Sequence, residues 1–106
     1  MRVITLCGST KFEDDFRRVN EMLTLNGDIV LAPGVFGHSR GITLRKEQKE
    51  KLDKLHKQKI DMSDAIYVIN KGGYIGTSTA SEIEYALEHN KKIIYMEEVN
   101  EKSRTN

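Results

Sequence analysis

Four short runs rich in β-branched and other apolar residues do most to constrain the fold of this chain. They lie at residues 2–7, 28–33, 65–70 and 92–97. None of them alternates cleanly between apolar and polar residues, which is typical of strands covered on both faces. Segments with helical spacing separate these runs. This strand–helix order predicts an α/β fold with a doubly wound parallel sheet, a three-layer α/β/α sandwich.

The first helical segment has the clearest apolar face. Phe12, Phe16, Val19 and Leu23 fall at i, i+4, i+7 and i+11, and the pattern stops near Asn26. The middle segment, residues 44–62, is highly charged and has only a thin apolar stripe. We therefore predict that the first helix is well buried, whereas the face of the middle helix is mostly solvated.

Length and charge bound the classes of function. The chain has 106 residues, of which 38% are hydrophobic, and a net charge of +1. We predict one domain over residues 1–98 and a polar C-terminal tail over 99–106. The balanced charge gives no reason to expect nucleic-acid or membrane binding, so the expected partner is a small molecule. The single cysteine, Cys7, is interpreted as a core residue in a reducing compartment. The start of the chain does not resemble a signal peptide, so a cytoplasmic location is expected.

The loops that follow the first three strands carry the least ordinary residues. They cover residues 8–11, 33–43 and 70–81, whereas the loops at the opposite edge are minimal. In a doubly wound sheet the ligand crevice lies at the carboxyl ends of the strands. Function is therefore predicted at this edge.

The first of these loops has the composition of an anion site. Gly8, Ser9 and Thr10 stand at the start of a helix, and Lys11 adds a positive charge. Free backbone N–H groups at such a start favour an anion. A simple helix cap with a tight turn explains the same residues equally well.

The third loop leads into a helix that carries Glu82. Residues 79–82 fit a capping box, in which this glutamate would bond to the Thr79 amide. One cap does not require the glycines that precede it, so we interpret Gly72, Gly73 and Gly76 as backbone that passes close to a ligand. Tyr74 is a candidate to stack on a ring or to position the glutamate.

The histidines give weaker signals. His38 lies in the long second loop. It is either part of a lid over the site or a solvated side chain, and the sequence is consistent with both. His56 lies in the charged helix and is predicted to be on the surface. The three histidines of the chain lack zinc-ligand spacing, so neither a metal site nor a cofactor is predicted.

Three segments resemble the nucleoside 2-deoxyribosyltransferase superfamily, which includes deoxynucleoside monophosphate N-glycosidases. They are "ITLCGST" at the first strand, "DAIYVIN" at the third, and "GTSTASEIEYALEHNKKIIYME" at residues 76–97. The resemblance implies a flavodoxin-like fold and a homodimer or larger assembly in which a partner subunit completes the pocket. It covers most of the chain.

The resemblance also implies a chemistry. Glu82 matches the family's nucleophile, which attacks the anomeric carbon of a nucleoside or its 5′-monophosphate and forms a glycosyl-enzyme ester. Ser9 and Lys11 match a segment that contacts a 5′-phosphate or sugar hydroxyl, and Thr77 and Ser78 match another such contact. Gly76 stands where the transferases carry an aspartate.

Several alternatives remain open on the sequence alone. The general acid for the leaving base is His56, Asp61 or a group from a partner subunit. A non-catalytic nucleotide-binding or sensing module would keep the pocket without turnover. The glycine-rich loop before the glutamate also resembles that of cytokinin-activating phosphoribohydrolases, although an extra residue separates the glycines. Binding of FMN is a weaker alternative.

Overall fold

The computed structural model describes residues 1–37 and 39–99, so His38 and residues 100–106 of the predicted tail lie outside the described residues. The strands are β1 (Val3–Gly8), β2 (Ile29–Leu31), β3 (Ala65–Ile69) and β4 (Lys92–Tyr95), and the helices are α1 (Glu13–Leu25), α2 (Lys46–Asp61) and α3 (Thr77–Glu88). Two short 3₁₀ turns, Thr10–Phe12 and Lys71–Gly73, precede α1 and α3. The predicted order of elements is confirmed.

The four strands form one parallel sheet in the order β2-β1-β3-β4. At the carboxyl ends of the two central strands, Cys7 pairs with Val68 and Gly8 pairs with Ile69. From β1 the chain continues to β2 at one edge of the sheet, and from β3 it continues to β4 at the opposite edge. The predicted flavodoxin-like, doubly wound fold is therefore confirmed, with its switch point between β1 and β3.

Alternate strand residues divide the core between the two faces of the sheet. Ile4, Leu6, Phe16, Val19, Leu23, Ala65 and Ile69 form one cluster under α1. Cys7, Ile60, Ile66, Val68 and Ala86 form the second cluster, under α2 and α3. The face predicted for α1 is buried, and Cys7 is fully buried as predicted. This period-two division is what strands covered on both faces require.

A hydroxyl cluster fastens α2 to the sheet. Thr5 Oγ1 donates a hydrogen bond to the Lys59 carbonyl at 3.0 Å. Ser63 Oγ donates to the same carbonyl at 2.8 Å. Thr5 and Ser63 are buried polar residues, and these bonds supply the partners that such groups need. These bonds fix the position of α2 along the length of β1.

Gly8 ends β1 opposite Ile69 of β3. Its φ of 155° lies in a region that side chains rarely adopt, and an added Cβ would lie 2.9 Å from the Ile69 carbonyl oxygen. Because that oxygen belongs to the backbone of β3, the contact could be relieved only by moving the strands apart.

We expect the Gly8→Ala variant to lose about 2–3 kcal/mol of unfolding free energy, near the upper range for overpacking. Urea denaturation followed by circular dichroism measures this loss. Gly27→Ala is the matched control, because Gly27 also has a positive φ, 95°, but no atom lies within 4 Å of its added Cβ. The control should lose roughly 1 kcal/mol from backbone strain alone. Equal losses in the two variants would contradict the steric argument.

Candidate functional site

The carboxyl ends of β1 and β3 open into a cavity of about 790 Å³. It lies at the switch point, where ligand sites of doubly wound sheets are found. Its size falls within the range of roughly 300–1,000 Å³ that is usual for small-molecule sites. The edge of the sheet predicted to carry function therefore holds a cavity large enough for a nucleotide.

Four parts of the chain line this cavity. They are the turn after β1, the loop that follows β2, one face of α2 and the first turns of α3. The predicted site residues that line it are Gly8, Ser9, Thr10, Tyr74, Gly76, Thr77, Ser78 and Glu82. The structure thus brings the first and third predicted loops together around one space.

Two predicted site residues do not line the cavity. Lys11 Nζ lies 3.7 Å from the centroid of the Tyr74 ring, in a cation–π contact. Gly73 and Gly72 have φ values of 82° and 63°, and nothing lies within 4 Å of a Cβ added to either. The interpretation that these two glycines pass close to a ligand is not supported, because the turn itself requires their conformation. His38 lies outside the described residues.

Three side chains from three different elements meet at the bottom of the cavity: His56 and Glu82 line it, and the buried Cys7 lies beneath them. His56 Nε2 lies 3.4 Å from Cys7 Sγ and 3.6 Å from Glu82 Oε1. The side chains of His56 and Glu82 are only 9% and 14% exposed. One potential ligand atom from each residue lies within 4.8 Å of the others. We call Cys7, His56 and Glu82 the floor cluster.

Glu82 is not a helix cap. Helix α3 begins at Thr77, its N-cap is Gly76, and no side chain caps it. Glu82 therefore falls in the second turn, where backbone N–H groups already have helical partners. The predicted capping box is wrong, and the carboxyl group instead faces His56.

His56 was a candidate general acid, but its burial at the cavity was not predicted from the sequence. It was predicted on the surface, yet it is 7% exposed. Lys49, Leu52, Asp53 and His56 of α2 all line the cavity, and their spacing of i, i+3, i+4 and i+7 is one helical face. This spacing was a usable signal, but the polar residues on it suggested solvent rather than a cavity. Asp61, the other candidate acid on α2, instead accepts a hydrogen bond from the Tyr85 hydroxyl at 2.7 Å.

Burial shifts the pKa values of all three side chains in the floor cluster. It raises the pKa of Glu82 to about 7, and the charge of Asp53 adds to this effect, while contact with Cys7 and the charge of Lys57 oppose it. Burial lowers the pKa of His56 to about 4, helped by the charge of Lys59. Burial, with the nearby Glu82 carboxylate, raises the pKa of the Cys7 thiol. Near pH 7 the imidazole is neutral and the carboxyl is close to half ionised.

The loop after β2 is tied to α1 by one carboxylate. Glu13 accepts a hydrogen bond from Ser39 Oγ at 2.7 Å and one from Arg40 Nη2 at 2.8 Å. The Arg40 guanidinium, with the Ser39 hydroxyl, lowers the pKa of Glu13 to about 2. The ion pair therefore persists across the neutral range and holds this wall of the cavity in place.

No protein-family model, curated protein or solved structure matches this chain. Among the described residues, none of the helices has the length and apolar character needed to cross a membrane.

The floor cluster predicts a distinctive dependence of stability on pH in metal-free buffer. The native pKa of Glu82, about 7, lies above the ordinary 4.5, so its contribution to stability is lost as pH rises from 4.5 through 7. The native pKa of His56, about 4, lies below the ordinary 6.5, so stability is lost as pH falls from 6.5 towards 4. The two slopes oppose each other where the windows overlap.

Glu82→Gln should remove the cost of ionising the buried carboxyl group. We expect the variant to match the parent protein near pH 5 and to exceed it at pH 8 by up to roughly 3 kcal/mol, measured by urea denaturation at each pH. Glu84→Gln, on the exposed face of the same helix, is the control and should change stability equally at both pH values. A Glu82→Gln effect independent of pH would contradict the burial argument.

Proposed function

We propose that this protein cleaves or transfers the N-glycosidic bond of a nucleoside, a deoxynucleoside or a 5′-monophosphate of either, with Glu82 as the nucleophile. The observation that carries the proposal is the carboxyl group on the floor of a nucleotide-sized cavity, free of any capping role. The resemblance to the nucleoside 2-deoxyribosyltransferase superfamily supplies the reaction, because it matches Glu82 to the family's nucleophile.

The reaction proceeds in two steps. An ionised Glu82 oxygen attacks the anomeric carbon, the carbon–nitrogen bond breaks, and the base leaves with the electron pair and takes up a proton. The sugar is then held as an ester on Glu82. Attack by water on the same carbon gives hydrolysis, whereas attack by a second base gives transfer; both regenerate the carboxylate with overall retention.

The neighbouring side chains favour this role for Glu82. His56 is neutral at pH 7 because its pKa is about 4, so it positions the carboxyl group rather than donating a proton as an imidazolium. The proton for the departing base is then supplied by a group of a partner subunit or by solvent. Burial keeps the ionised carboxylate poorly solvated, which makes it a stronger nucleophile.

The hydroxyl groups around the cavity suit a sugar or a phosphate. Ser9 and Thr10 lie on one side of it, and Thr77 and Ser78 lie in the first turn of α3 on the other. No side chain caps this helix, so its first backbone N–H groups are available to an anionic group. These hydroxyl and backbone N–H groups favour a phosphorylated substrate over a free nucleoside.

The proposed acting form is a homodimer or a larger assembly. Val35, Ile42 and Leu55 line the cavity and are 38%, 56% and 46% exposed. A partner subunit over the cavity would cover these apolar side chains. Light scattering at the assay concentration gives the mass of the assembly.

The test is chromatographic detection of free base from nucleosides, deoxynucleosides and their 5′-monophosphates, in buffer that contains a chelator. We expect release by the parent protein, loss of at least about 1,000-fold in kcat for Glu82→Gln, as for other nucleophile removals, and near-parental release by Glu84→Gln. Mass spectrometry of quenched reactions should place a sugar adduct on the peptide that contains Glu82.

The pH profile of kcat/KM gives a second readout of the same prediction. It should rise with pH through a midpoint near 7, because the ionised form of Glu82 is the nucleophile in the free enzyme. Ligand binding without base release would instead support a non-catalytic binding module. Ribose 5-phosphate as the preferred sugar product would support a phosphoribohydrolase. An active Glu82→Gln protein would overturn the nucleophile assignment.

A further inference from the structure

The floor cluster combines three of the side chains that most often bind zinc. Cys7 comes from β1, His56 from α2 and Glu82 from α3, so each is held by a regular element of the fold. Zn²⁺ binds cysteine sulfur at about 2.3 Å and histidine nitrogen or carboxylate oxygen at about 2.0–2.2 Å. Tetrahedral coordination at these lengths separates neighbouring ligand atoms by roughly 3.3–3.6 Å.

The observed separations are close to that requirement. Cys7 Sγ and His56 Nε2 are 3.4 Å apart, and His56 Nε2 and Glu82 Oε1 are 3.6 Å apart. All three ligand atoms lie within 4.8 Å of one another. For an ion placed between them, even a pair of ligand atoms at the 4.8 Å limit would need to approach by only about 1 Å.

The charge of the donor set also fits a divalent ion. A cysteine thiolate and a glutamate carboxylate together carry two negative charges, and the imidazole is neutral. A divalent ion therefore yields a site with no net charge, which is the condition under which charged groups tolerate burial. On binding, the thiol proton leaves to solvent, because metal coordination deprotonates the sulfur.

We propose that the floor cluster is a binding site for a thiolate-preferring divalent ion, Zn²⁺, with Cys7, His56 and Glu82 as its three protein ligands. Sulfur and nitrogen donors exclude a site designed for Mg²⁺ or Ca²⁺. His56 and Glu82 line the cavity whereas Cys7 lies beneath it, so the fourth coordination position faces the cavity and takes a water molecule.

This site and the proposed glycosidic chemistry share Glu82. A carboxylate bound to zinc cannot at the same time form an ester with a sugar. Zn²⁺ therefore acts as a reversible inhibitor of the proposed reaction, and a chelator restores activity. The binding site itself does not depend on the proposed function.

The experiment measures metal binding without any substrate. Full-length protein is stripped with a chelator, and Zn²⁺ is titrated in competition with a chromophoric chelator. We expect one tight site per chain. Cys7→Ser, His56→Gln and Glu82→Gln should each weaken binding by at least about 100-fold, since even the loss of outer-shell partners costs roughly 10–100-fold.

Two variants serve as matched controls. His89→Gln removes an exposed histidine that contacts the Tyr85 carbonyl, and Glu84→Gln removes an exposed carboxyl group of α3. Both should retain the parental affinity. Binding lost equally in the controls and the cluster variants, or retained in Cys7→Ser, would overturn the proposal.

Co²⁺ bound to the parent protein gives a readout that does not depend on the folding of any variant. We expect a thiolate-to-cobalt charge-transfer band and the intense visible bands of tetrahedral coordination. A saturated complex without the charge-transfer band would show that Cys7 is not a ligand and would overturn the site. Zinc binding without base release would leave this site standing and remove only the proposed reaction. Base release without zinc binding would support the proposed reaction and overturn the metal site.

Discussion

The hydrogen bond from the buried Thr5 hydroxyl to the Lys59 carbonyl fixes the geometry on which the site depends. This carbonyl lies in the last turn of α2, where it also accepts a 3.2 Å hydrogen bond from the backbone N–H of Met62. From Lys59, His56 lies three residues back along the helix, an advance of about 4.5 Å. Cys7 lies two residues further along the same face of β1, an advance of about 6.6 Å. The two advances differ by only about 2 Å, so the bond at Thr5 brings His56 within contact of Cys7, with Nε2 and Sγ 3.4 Å apart.

Burial, rather than attraction between opposite charges, gives the floor cluster its electrostatic character. It moves the pKa of Glu82 up to about 7 and that of His56 down to about 4. These shifts favour a neutral pair over an ion pair. The floor is therefore an environment in which ionisation of the carboxyl group is costly but within reach at neutral pH. A catalytic carboxylate gains reactivity under these conditions.

The sheet could be predicted because each strand is marked by its own apolar run. The site could be predicted only in part. Strands covered on both faces read as continuous apolar runs, and the carboxyl edge follows from their parallel order. Glu82 was predicted to be functional from the family resemblance and from the glycines before it, of which Gly76 lines the cavity whereas Gly73 serves a turn. The burial of His56 was not predicted, because polar residues on a helical face ordinarily indicate solvent, and here that face borders a cavity. The contact between Cys7 and His56 joins residues 49 positions apart, which no local spacing reveals.

The same feature of the floor supports both roles proposed for Glu82. Within residues 1–37 and 39–99, the basic side chain in contact with it is His56, which is neutral at pH 7, and no lysine or arginine forms a salt bridge to it. Once ionised, this carboxylate therefore has little positive charge to balance it. In the proposed reaction, a sugar that develops positive charge at its anomeric carbon supplies that balance, and in the proposed metal site a divalent ion supplies it. Because both proposals engage the same carboxyl group, the affinity of the floor cluster for a metal ion would set how much of the protein is free to react.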